Sequence, residues 1–342
     1  MAFRKSPDSR PQVSEVFPAA AIPGGEFQVR GRGFGAVERP VVRFGDTPAP
    51  LVASSDSFLI VRVPENTSGS DLLIGTNGEA SAPRVCVIGS QIADGLHPVA
   101  SPAVDRHGTV YSTFSGSRGQ KTPVSVYKAD PGGPLAPFVS DITNATGLAL
   151  DQDDVLYVSS RQDGVVYRIS STGSVAVYVE GMGVATGIAF DRDENLYVGD
   201  RSGTIFKVSR ERQIYVFATL EPSISAYHLA FGPDGCLYVA GPTTSSYDAV
   251  HRITPAGEAG VFFRGLGRPQ GLAFDVDGNL YVAASYAGRR GVIRISPEAK
   301  PELFLSGPSI VGLAFTPQRD LIVATQNALY GAKVDVDGLR VP

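Results

Sequence analysis

Short apolar runs alternate with clusters of Gly, Pro, Asp and Asn along most of the chain, a pattern that predicts β-strands joined by tight turns. In the C-terminal three quarters the runs recur as one phrase. Five copies are clear: TGLALDQDDVLYVSS from Thr146, TGIAFDRDENLYVGD from Thr186, YHLAFGPDGCLYVAG from Tyr227, QGLAFDVDGNLYVAA from Gln270 and VGLAFTPQRDLIVAT from Val311. The copies start 40, 41, 43 and 41 residues apart, and a weaker copy, ASPAVDRHGTVYSTF, starts 46 residues earlier at Ala100.

Each copy contains four strand-like runs. In the copy that starts at Gln270 they are GLAFD, NLYVAA, GVIRIS and PELFLSG, with a turn at residues 276–278 after the first run. Four strands every ~40–45 residues predict a propeller blade, so six copies predict six blades. The last copy lacks a clear outer strand. Two segments are candidates to complete the sixth blade, Leu339–Val341 and the residues near Gln91–Ala93.

Residues 11–88 do not carry the repeat. They contain short alternating strands, such as Phe27–Val29 and Phe58–Val63, separated by Gly/Pro turns, which is typical of a compact β-sandwich. The predicted fold class is therefore all-β, with an N-terminal immunoglobulin-like sandwich followed by a six-bladed β-propeller. We expect a tail at residues 1–10, the sandwich at 11–88, a linker at 89–97 and the propeller at 98–342.

Composition narrows the possible partners. The chain has 342 residues, of which 43% are hydrophobic, and a formal net charge of -4. We expect no nucleic-acid partner, because there is no basic bias, and no membrane span, because no long apolar stretch occurs. The polar N-terminal residues do not read as a signal peptide, so a cytoplasmic location is expected. Cys86 and Cys236 are far apart and predict two ordinary, part-buried thiols rather than a disulfide or a metal site.

Several short motifs in the N-terminal segment resemble the IPT/TIG family of immunoglobulin-like domains. They are Pro18 with Pro23-Gly24-Gly25, Gly31-x-Gly33-Phe34, Phe44-Gly45 and Val63-Pro64. The resemblance covers the whole segment and implies a binding or spacer module. The Gly31-x-Gly33 motif is not interpreted as a dinucleotide loop, because no helical pattern follows it.

The repeats, most clearly Gly271–Ala283, resemble NHL repeats and the larger six-bladed superfamily of gluconolactonase and senescence-marker-protein-like hydrolases. The resemblance covers residues 98–342 and implies the propeller fold, which hosts many activities. For the enzymatic members it also implies a divalent cation on the axis. Oxygen ligands at the residues that lead into the innermost strands would hold this cation.

The residues at that position do not suit such a cation. They are Ala100, Thr146, Thr186, Tyr227, Gln270 and Val311. The first copy keeps the phrase SPAV at Ser101–Val104, but Ala100 stands where the resemblance implies a Glu. None of the six is a carboxylate or an Asn, so we expect no metal and no cofactor.

The same end of the propeller is nevertheless a candidate ligand site. The loops between second and third strands lie at the end where the first strands begin. Their basic residues are Arg118, Lys121, Arg161, Arg201, Arg289 and Arg290, against the acidic Asp163, Asp200 and Asp248. Convergent arginines favour carboxylate or phosphate groups, so a small anionic molecule is expected. The candidate ligand-binding residues are Thr146, Thr186, Tyr227, His228, Gln270, Arg161, Arg201 and Arg289.

Two function classes follow. The first is a binding propeller that lacks the metal site and recognises a small anionic molecule or a protein partner. The alternative is a gluconolactonase-like hydrolase or lyase that acts on a small carbohydrate-like or lactone substrate. The antibiotic-inactivating lyases, which resemble this propeller, imply a His base near the axis. His228 is the one candidate for it, although a structural role is favoured for this residue. No catalytic residue is identified.

Overall fold

The structure, a computed structural model, describes residues 10–35, 39–67, 69–76, 78–244 and 248–340. Its internal contacts divide the chain into two compact units. The first comprises Met1–Ser90, Leu303–Pro308 and Ala332–Val334, and the second comprises Gln91–Glu302, Ser309–Gly331 and Asp335–Pro342. All regular elements of the described residues are β-strands. None of these residues forms a helix long and apolar enough to cross a membrane.

The first unit is a sandwich of two antiparallel sheets. One sheet contains, in spatial order, β1 (Gln12–Phe17), β3 (Glu26–Arg32), β7 (Phe58–Arg62) and β6 (Leu51–Ser54). The other contains β10 (Arg84–Val85), β8 (Asp71–Thr76), β4 (Val41–Phe44) and β5 (Thr47–Ala49), and β9 (Glu79–Ala80) also pairs with β8. The short strand β2 (Ala20–Ala21) pairs in parallel with β11 (Val87–Ile88) and with Leu305–Ser306.

The sandwich core follows from the alternation of apolar residues along these strands. Phe27 on β3 and Phe44 on β4 are fully buried, with ring centroids 5.9 Å apart. Gly31 is required by packing, because a Cβ there would lie 2.0 Å from the backbone oxygen of Gln12 and 2.4 Å from the ring of Phe34. The Gly-x-Gly-Phe motif therefore closes the sandwich core.

Six antiparallel blades form the propeller, and each is numbered outward from its innermost strand. Most of their residues belong to the second unit, and Ser90, Ala332 and residues 303–306 are grouped with the first. Blade 1 contains β13 (Ala103–Val104), β14 (Val110–Thr113), β15 (Val126–Ala129) and β16 (Ala136–Val139). Blade 2 contains β17 (Ala145–Leu150), β18 (Leu156–Ser160), β19 (Val165–Ile169) and β20 (Val175–Val179). Blade 3 contains β21 (Ala185–Phe190), β22 (Leu196–Asp200), β23 (Thr204–Val208) and β24 (Ile214–Thr219).

The remaining blades continue this order. Blade 4 contains β25 (His228–Phe231), β26 (Leu237–Ala240), β27 (Asp248–Ile253) and β28 (Ala259–Leu266). Blade 5 contains β29 (Leu272–Phe274), β30 (Leu280–Tyr286), β31 (Arg289–Ile295) and β32 (Pro301–Ser306). Blade 6 contains β33 (Ile310–Phe315), β34 (Leu321–Thr325), β35 (Leu329–Ala332) and, as its outer strand, β12 (Ser90–Ala93). The predicted all-β fold class is confirmed.

Ring closure follows the second of the two alternatives, because β12 contains Gln91–Ala93. The other candidate does not join blade 6. Leu339 instead donates its backbone N–H to the oxygen of Phe274 at 2.8 Å, and Gly338 forms a single bridge with Asp275. Val341 lies outside the described residues. Closure by β12 means that the first and last segments of the propeller sequence meet in one sheet.

The tyrosine on the second strand of the repeat is a packing residue. Tyr157 meets Phe190 of the next blade edge-to-face, with ring centroids 4.8 Å apart. The same contact recurs in the pairs Tyr197–Phe231, Tyr238–Phe274 and Tyr281–Phe315, at 5.0, 4.7 and 5.0 Å. Such pairs add ~0.5–1.5 kcal/mol to the burial of the rings, so the tyrosine series joins consecutive blades.

The fold predicts different stabilities for two fragments. The sequence predicts that residues 98–342 fold alone, and that expectation remains to be tested. Because β12 begins at Ser90, fragment 90–342 keeps Ile92 and Leu96, which pack in the cluster with Leu329. Burial of these two side chains should make fragment 90–342 more stable than fragment 98–342 by about 3–5 kcal/mol. Urea titration of both fragments measures this difference.

A third fragment serves as the control. The change Ile92→Asp in fragment 90–342 should lower its urea midpoint toward that of fragment 98–342. Equal midpoints for the two unmodified fragments would contradict a stabilising role for β12. Failure of both to fold would contradict an independent propeller.

Candidate ligand site at the upper end of the propeller

The innermost strands of the blades begin at one end of the propeller, which is called the upper end here. Strand register places the last residues of each second strand at the same end, since Ala145 pairs with Ser160 and Ala185 pairs with Asp200. The loops between second and third strands therefore also lie at the upper end. The turns between first and second strands define the opposite, lower end.

Three of the predicted ligand-binding residues are buried here and already hydrogen-bonded. The hydroxyl of Thr146 donates to the backbone oxygen of Asn144 at 2.9 Å, and that of Thr186 donates to Gly199 at 2.8 Å. The Thr186 hydroxyl also accepts the backbone N–H of Tyr227 at 3.1 Å. The phenol of Tyr227 donates to the backbone oxygen of Glu221. Of these bonds, the one between Thr186 and Tyr227 joins blades 3 and 4, and the others are local.

The second residue of most repeat copies is a glycine, and it allows the inner strands to approach closely. A Cβ on Gly147 would lie 2.3 Å from the backbone oxygen of Thr186, and one on Gly187 would lie 2.3 Å from that of Tyr227. A Cβ on Gly312 would lie 2.4 Å from the Cα of Ser101. Glycine is therefore needed where two inner strands pack backbone to backbone, and the axis is narrow at this level.

His228 occupies the glycine position in blade 4 and is only 4% exposed. Burial lowers the pKa of its imidazole to about 4, because a charged ring would lose its hydration there. At neutral pH the ring is therefore uncharged, which also suits a proton acceptor.

The ring of six residues expected to hold a metal in related enzymes carries few polar groups. Ala100 and Val311 are buried apolar side chains, and Gln270 is partly buried, with its backbone N–H bound to Ala283 at 2.9 Å. Within the described part of the chain, no group of three or more His, Cys, Asp or Glu side chains could hold a metal ion. The donor set at the upper end does not fit a divalent cation.

The structure brings three arginines of adjacent blades together at the upper end. Arg161 is half-buried, and burial lowers the pKa of its guanidinium. The charges of Arg201 and Arg118 lower that pKa further. No described carboxylate forms an ion pair with Arg118, Arg161 or Arg201, so this cluster concentrates positive charge.

Asn144 positions this cluster, and the sequence did not single it out. Its amide nitrogen donates to the backbone oxygens of Gly116 and Ser117 at 2.8 and 2.9 Å, and its amide oxygen accepts the N–H of Gly119 at 2.7 Å. Asn144 therefore anchors the loop that carries Arg118. Arg161 donates to the same Gly116 oxygen at 3.2 Å. Asn144 has a φ of 52°, a left-handed conformation that Asn tolerates better than most residues.

The acidic residues at the upper end are used locally. Asp163 accepts from the hydroxyl of Ser160 at 3.0 Å. Asp200 accepts the N–H of Val184 at 2.8 Å, and Asp248 accepts that of Thr243 at 2.9 Å. These carboxylates fasten strand ends and do not neutralise the arginines.

Ion pairs of the propeller lie at the other end. Among its described residues they are Arg106–Asp154, Lys128–Asp130, Lys207–Asp191, Arg210–Glu194, Arg252–Asp234, Arg294–Glu302 and Arg319–Asp335. All of them involve residues on or beside the lower turns. None of the six basic residues that the sequence places in the upper loops forms an ion pair with a described residue. The ion pairs of the described residues thus lie at the lower end, whereas the basic residues of the upper loops have no ion-pair partner among the described residues.

Arg289 is placed apart from the arginine cluster. It follows the two-residue turn Ala287–Gly288 and pairs with Tyr286 at the tip of the β30–β31 hairpin. It is not among the charges that act on Arg161. Three basic residues of the predicted set therefore converge, and Arg289 lies at a hairpin tip of blade 5.

Comparison with known proteins identifies the class of each part of the chain. Residues 11–83 match the IPT/TIG domain family, as the motifs indicated. No curated protein sequence matches the chain closely enough to count as a relative. The chain is thus an IPT/TIG domain joined to a propeller.

Several solved structures resemble the whole chain or most of it. A putative gluconolactonase is 18% identical, with a TM-score of 0.60 over 74% of this chain and 94% of that chain. An auxiliary nutrient binding protein from Bacteroides thetaiotaomicron is 11% identical, with a TM-score of 0.56 over 95% and 98%. Virginiamycin B lyase from Staphylococcus aureus is 13% identical, with a TM-score of 0.54 over 86% and 99%. At such identities the likeness shows the shared propeller fold alone, and the predicted IPT/TIG domain followed by a β-propeller is confirmed.

The buried imidazole predicts a pH-dependent loss of stability. Between pH 6.5 and about 4 an unfolded His228 binds a proton that the folded residue excludes. The free energy of unfolding therefore has its full value above pH 6.5 and decreases as the pH falls toward 4, by about 3 kcal/mol in total. The variant His228→Gln should show a flatter dependence of unfolding free energy on pH in this window. Urea titrations from pH 7.5 to 4.5 measure it.

The exposed His107 provides the matched control. The variant His107→Gln should keep the wild-type dependence. If His228→Gln and wild type have the same pH slope, the imidazole is not held uncharged by burial.

Proposed function

We propose that the propeller is a binding module that holds a small anionic molecule at the cluster of Arg118, Arg161 and Arg201. The observation that carries this proposal is that three guanidinium groups of adjacent blades lie together without a carboxylate partner among the described residues. A half-buried cation beside two like charges is unfavourable. A bound anion would remove this penalty.

The chemistry of arginine indicates the ligand class. A guanidinium presents several N–H donors in one plane and binds two oxygens of a carboxylate or phosphate at once. Sugar acids and phosphorylated metabolites carry such groups, and so does an acidic patch on a protein. A nutrient-binding role is named for one of the similar propeller structures, which supports a small molecule over a protein partner.

The lack of a metal site belongs to the same proposal. The buried Ala100 and Val311 offer no ligand atoms, and the hydroxyls of Thr146 and Thr186 already bind backbone oxygens. These features favour recognition by charge rather than by a divalent cation.

Thermal unfolding with glucose 6-phosphate, and with neutral glucose as its matched comparison, tests the anion site. The phosphorylated sugar at five times its Kd should stabilise the native chain by about 1 kcal/mol, raising Tm by roughly 2–4 °C. Glucose should have no such effect. The variant Arg161→Ala should abolish the shift, because it removes the central guanidinium, and 0.5 M NaCl should weaken it.

Arg290→Ala is the control, since it removes an exposed charge from the same end but outside the cluster. It should leave the shift unchanged. Loss of the shift in Arg290→Ala as much as in Arg161→Ala would indicate diffuse attraction. An equal shift with glucose would exclude recognition of the anion.

A second candidate function is a hydrolase or lyase acting on a small carbohydrate-like or lactone substrate. The observation in its favour is the uncharged imidazole of His228, whose ring forms no hydrogen bond with the described residues. The putative gluconolactonase and the virginiamycin B lyase among the similar structures also support it.

Chelation separates a metal-dependent form of this alternative from the binding module. A metal bound only by the native state raises Tm, so its removal by EDTA would lower Tm. For a binding module without metal, EDTA should leave Tm unchanged. Elemental analysis of the purified chain should find less than one divalent ion per chain. A fall in Tm with EDTA, restored by Ca²⁺ or Mg²⁺, would favour the enzymatic alternative.

A further inference from the structure

A cavity of about 670 Å³ runs along the propeller axis below the level where the glycines bring the inner strands together. All six inner strands line it. One residue of its wall is the same in every blade: Ala103, Ala149, Ala189, Ala230, Ala273 and Ala314. A side chain of this size keeps the space open, whereas a larger residue in all six strands would fill it.

The other side chains of the wall are mostly apolar. Leucine precedes the alanine in four blades and phenylalanine follows it in four: these residues are Leu148, Leu229, Leu272, Leu313, Phe190, Phe231, Phe274 and Phe315. The inner strand is the edge of its sheet, so one side of its backbone has no strand partner and also faces the axis. A compact apolar body with a few polar atoms suits such a wall, and ligand pockets commonly have volumes of roughly 300–1,000 Å³.

Charged side chains border the cavity only at its lower end. They are Arg106, Arg192, Arg340, Asp151 and Asp154. Asp154 is neutralised by Arg106, and Asp151 accepts the N–H groups of Asp153 and Val155 at 3.0 and 2.9 Å within its own turn. Arg192 and Arg340 form no ion pair with the described residues, so the opening has an excess of positive charge.

The C-terminal segment brings Arg340 to this opening. Its preceding residues are held by the ion pair of Asp335 with Arg319 at 3.0 Å, by the bridge of Gly338 to Asp275, and by the N–H of Leu339 on Phe274. Gly338 is needed there, because a Cβ would lie 2.2 Å from the Cβ of Phe315. The segment is therefore docked against blades 5 and 6, and Leu339 and Arg340 become part of the cavity wall.

We propose that this axial cavity is a second ligand site, open at the lower end. It takes an organic anion whose apolar body lies among the inner-strand alanines and leucines and whose charged group meets Arg192 and Arg340. This site is separate from the arginine cluster at the upper end, because none of Arg118, Arg161 and Arg201 lines the cavity. The proposal does not rest on the function assigned to that cluster.

Two fluorescent probes with the same apolar body test the charge requirement. 1-Anilinonaphthalene-8-sulfonate carries a sulfonate, and N-phenyl-1-naphthylamine lacks it. Titration of the full chain should show one saturable site for the sulfonate probe, about tenfold tighter than for the neutral probe. The variant Arg192→Ala alters an exposed side chain and should weaken the sulfonate probe by roughly 5- to 20-fold while leaving the neutral probe unchanged.

A variant of the wall tests the location. Ala189→Phe should weaken both probes, and a thermal melt of this variant shows whether it is folded. If it is not, Ala273→Leu in the same ring replaces it. Arg161→Ala should leave both probes unchanged, which separates this site from the upper cluster.

Three results would overturn the proposal. The first is sulfonate binding that does not change in Arg192→Ala. The second is equal affinity for the two probes. The third is unchanged affinity for the probes in a folded variant of the cavity wall, Ala189→Phe or Ala273→Leu. Failure of glucose 6-phosphate to bind the upper cluster would leave these measurements unaffected, so the two sites are tested independently.

Discussion

The contact on which the propeller depends most is the edge-to-face packing of a second-strand tyrosine against the phenylalanine of the next blade. In Tyr197, Tyr238 and Tyr281 the hydroxyl also donates to an aspartate in the turn of its own blade, at 3.1, 3.2 and 3.0 Å. Burial, and then the neighbouring Asp234, raises the pKa of Tyr238 to about 12, so the phenol keeps the proton that it donates. At these three interfaces one side chain thus fastens its own turn and joins two blades.

This contact also divides the charge of the propeller between its two ends. The aspartates that receive the tyrosine hydroxyls sit in the lower turns, where Asp191 and Asp234 also lie within 4.0 and 2.9 Å of Lys207 and Arg252. Carboxylates at the lower end are therefore fastened to tyrosines and neutralised by cations. The upper loops have no such requirement. Their arginines remain uncompensated, and for that reason the chain can be net acidic and still present a local positive surface.

The sequence predicts whatever the repeat repeats. The strand positions and the number of blades follow from one phrase that occurs six times. Ring closure by Ser90–Ala93 could not be assigned from the sequence, because it depends on pairing with a strand more than 230 residues away. The segment is also too short to show a strand pattern of its own. The polar character of Thr146 and Thr186 was evident, but the strand pattern does not show that their hydroxyls donate to the backbone oxygens of Asn144 and Gly199. Asn144 was missed because its partners belong to the preceding blade.

The most informative residues are those that depart from the repeat at positions where geometry makes the repeat strict. Glycine is needed at Gly147, Gly187 and Gly312 because backbones touch there, yet blade 4 places His228 at the same position and holds its ring buried. Likewise, Arg161 and Arg201 occupy a position in the phrase where blade 4 has Pro242 and blade 5 has Ser285. Other blades fold without these arginines, so the repeat does not require them, although Arg161 donates to the backbone oxygen of Gly116 and Arg201 to that of Ile224. In the function proposed above, their role is to concentrate positive charge on one side of the upper end, where an anion would bind.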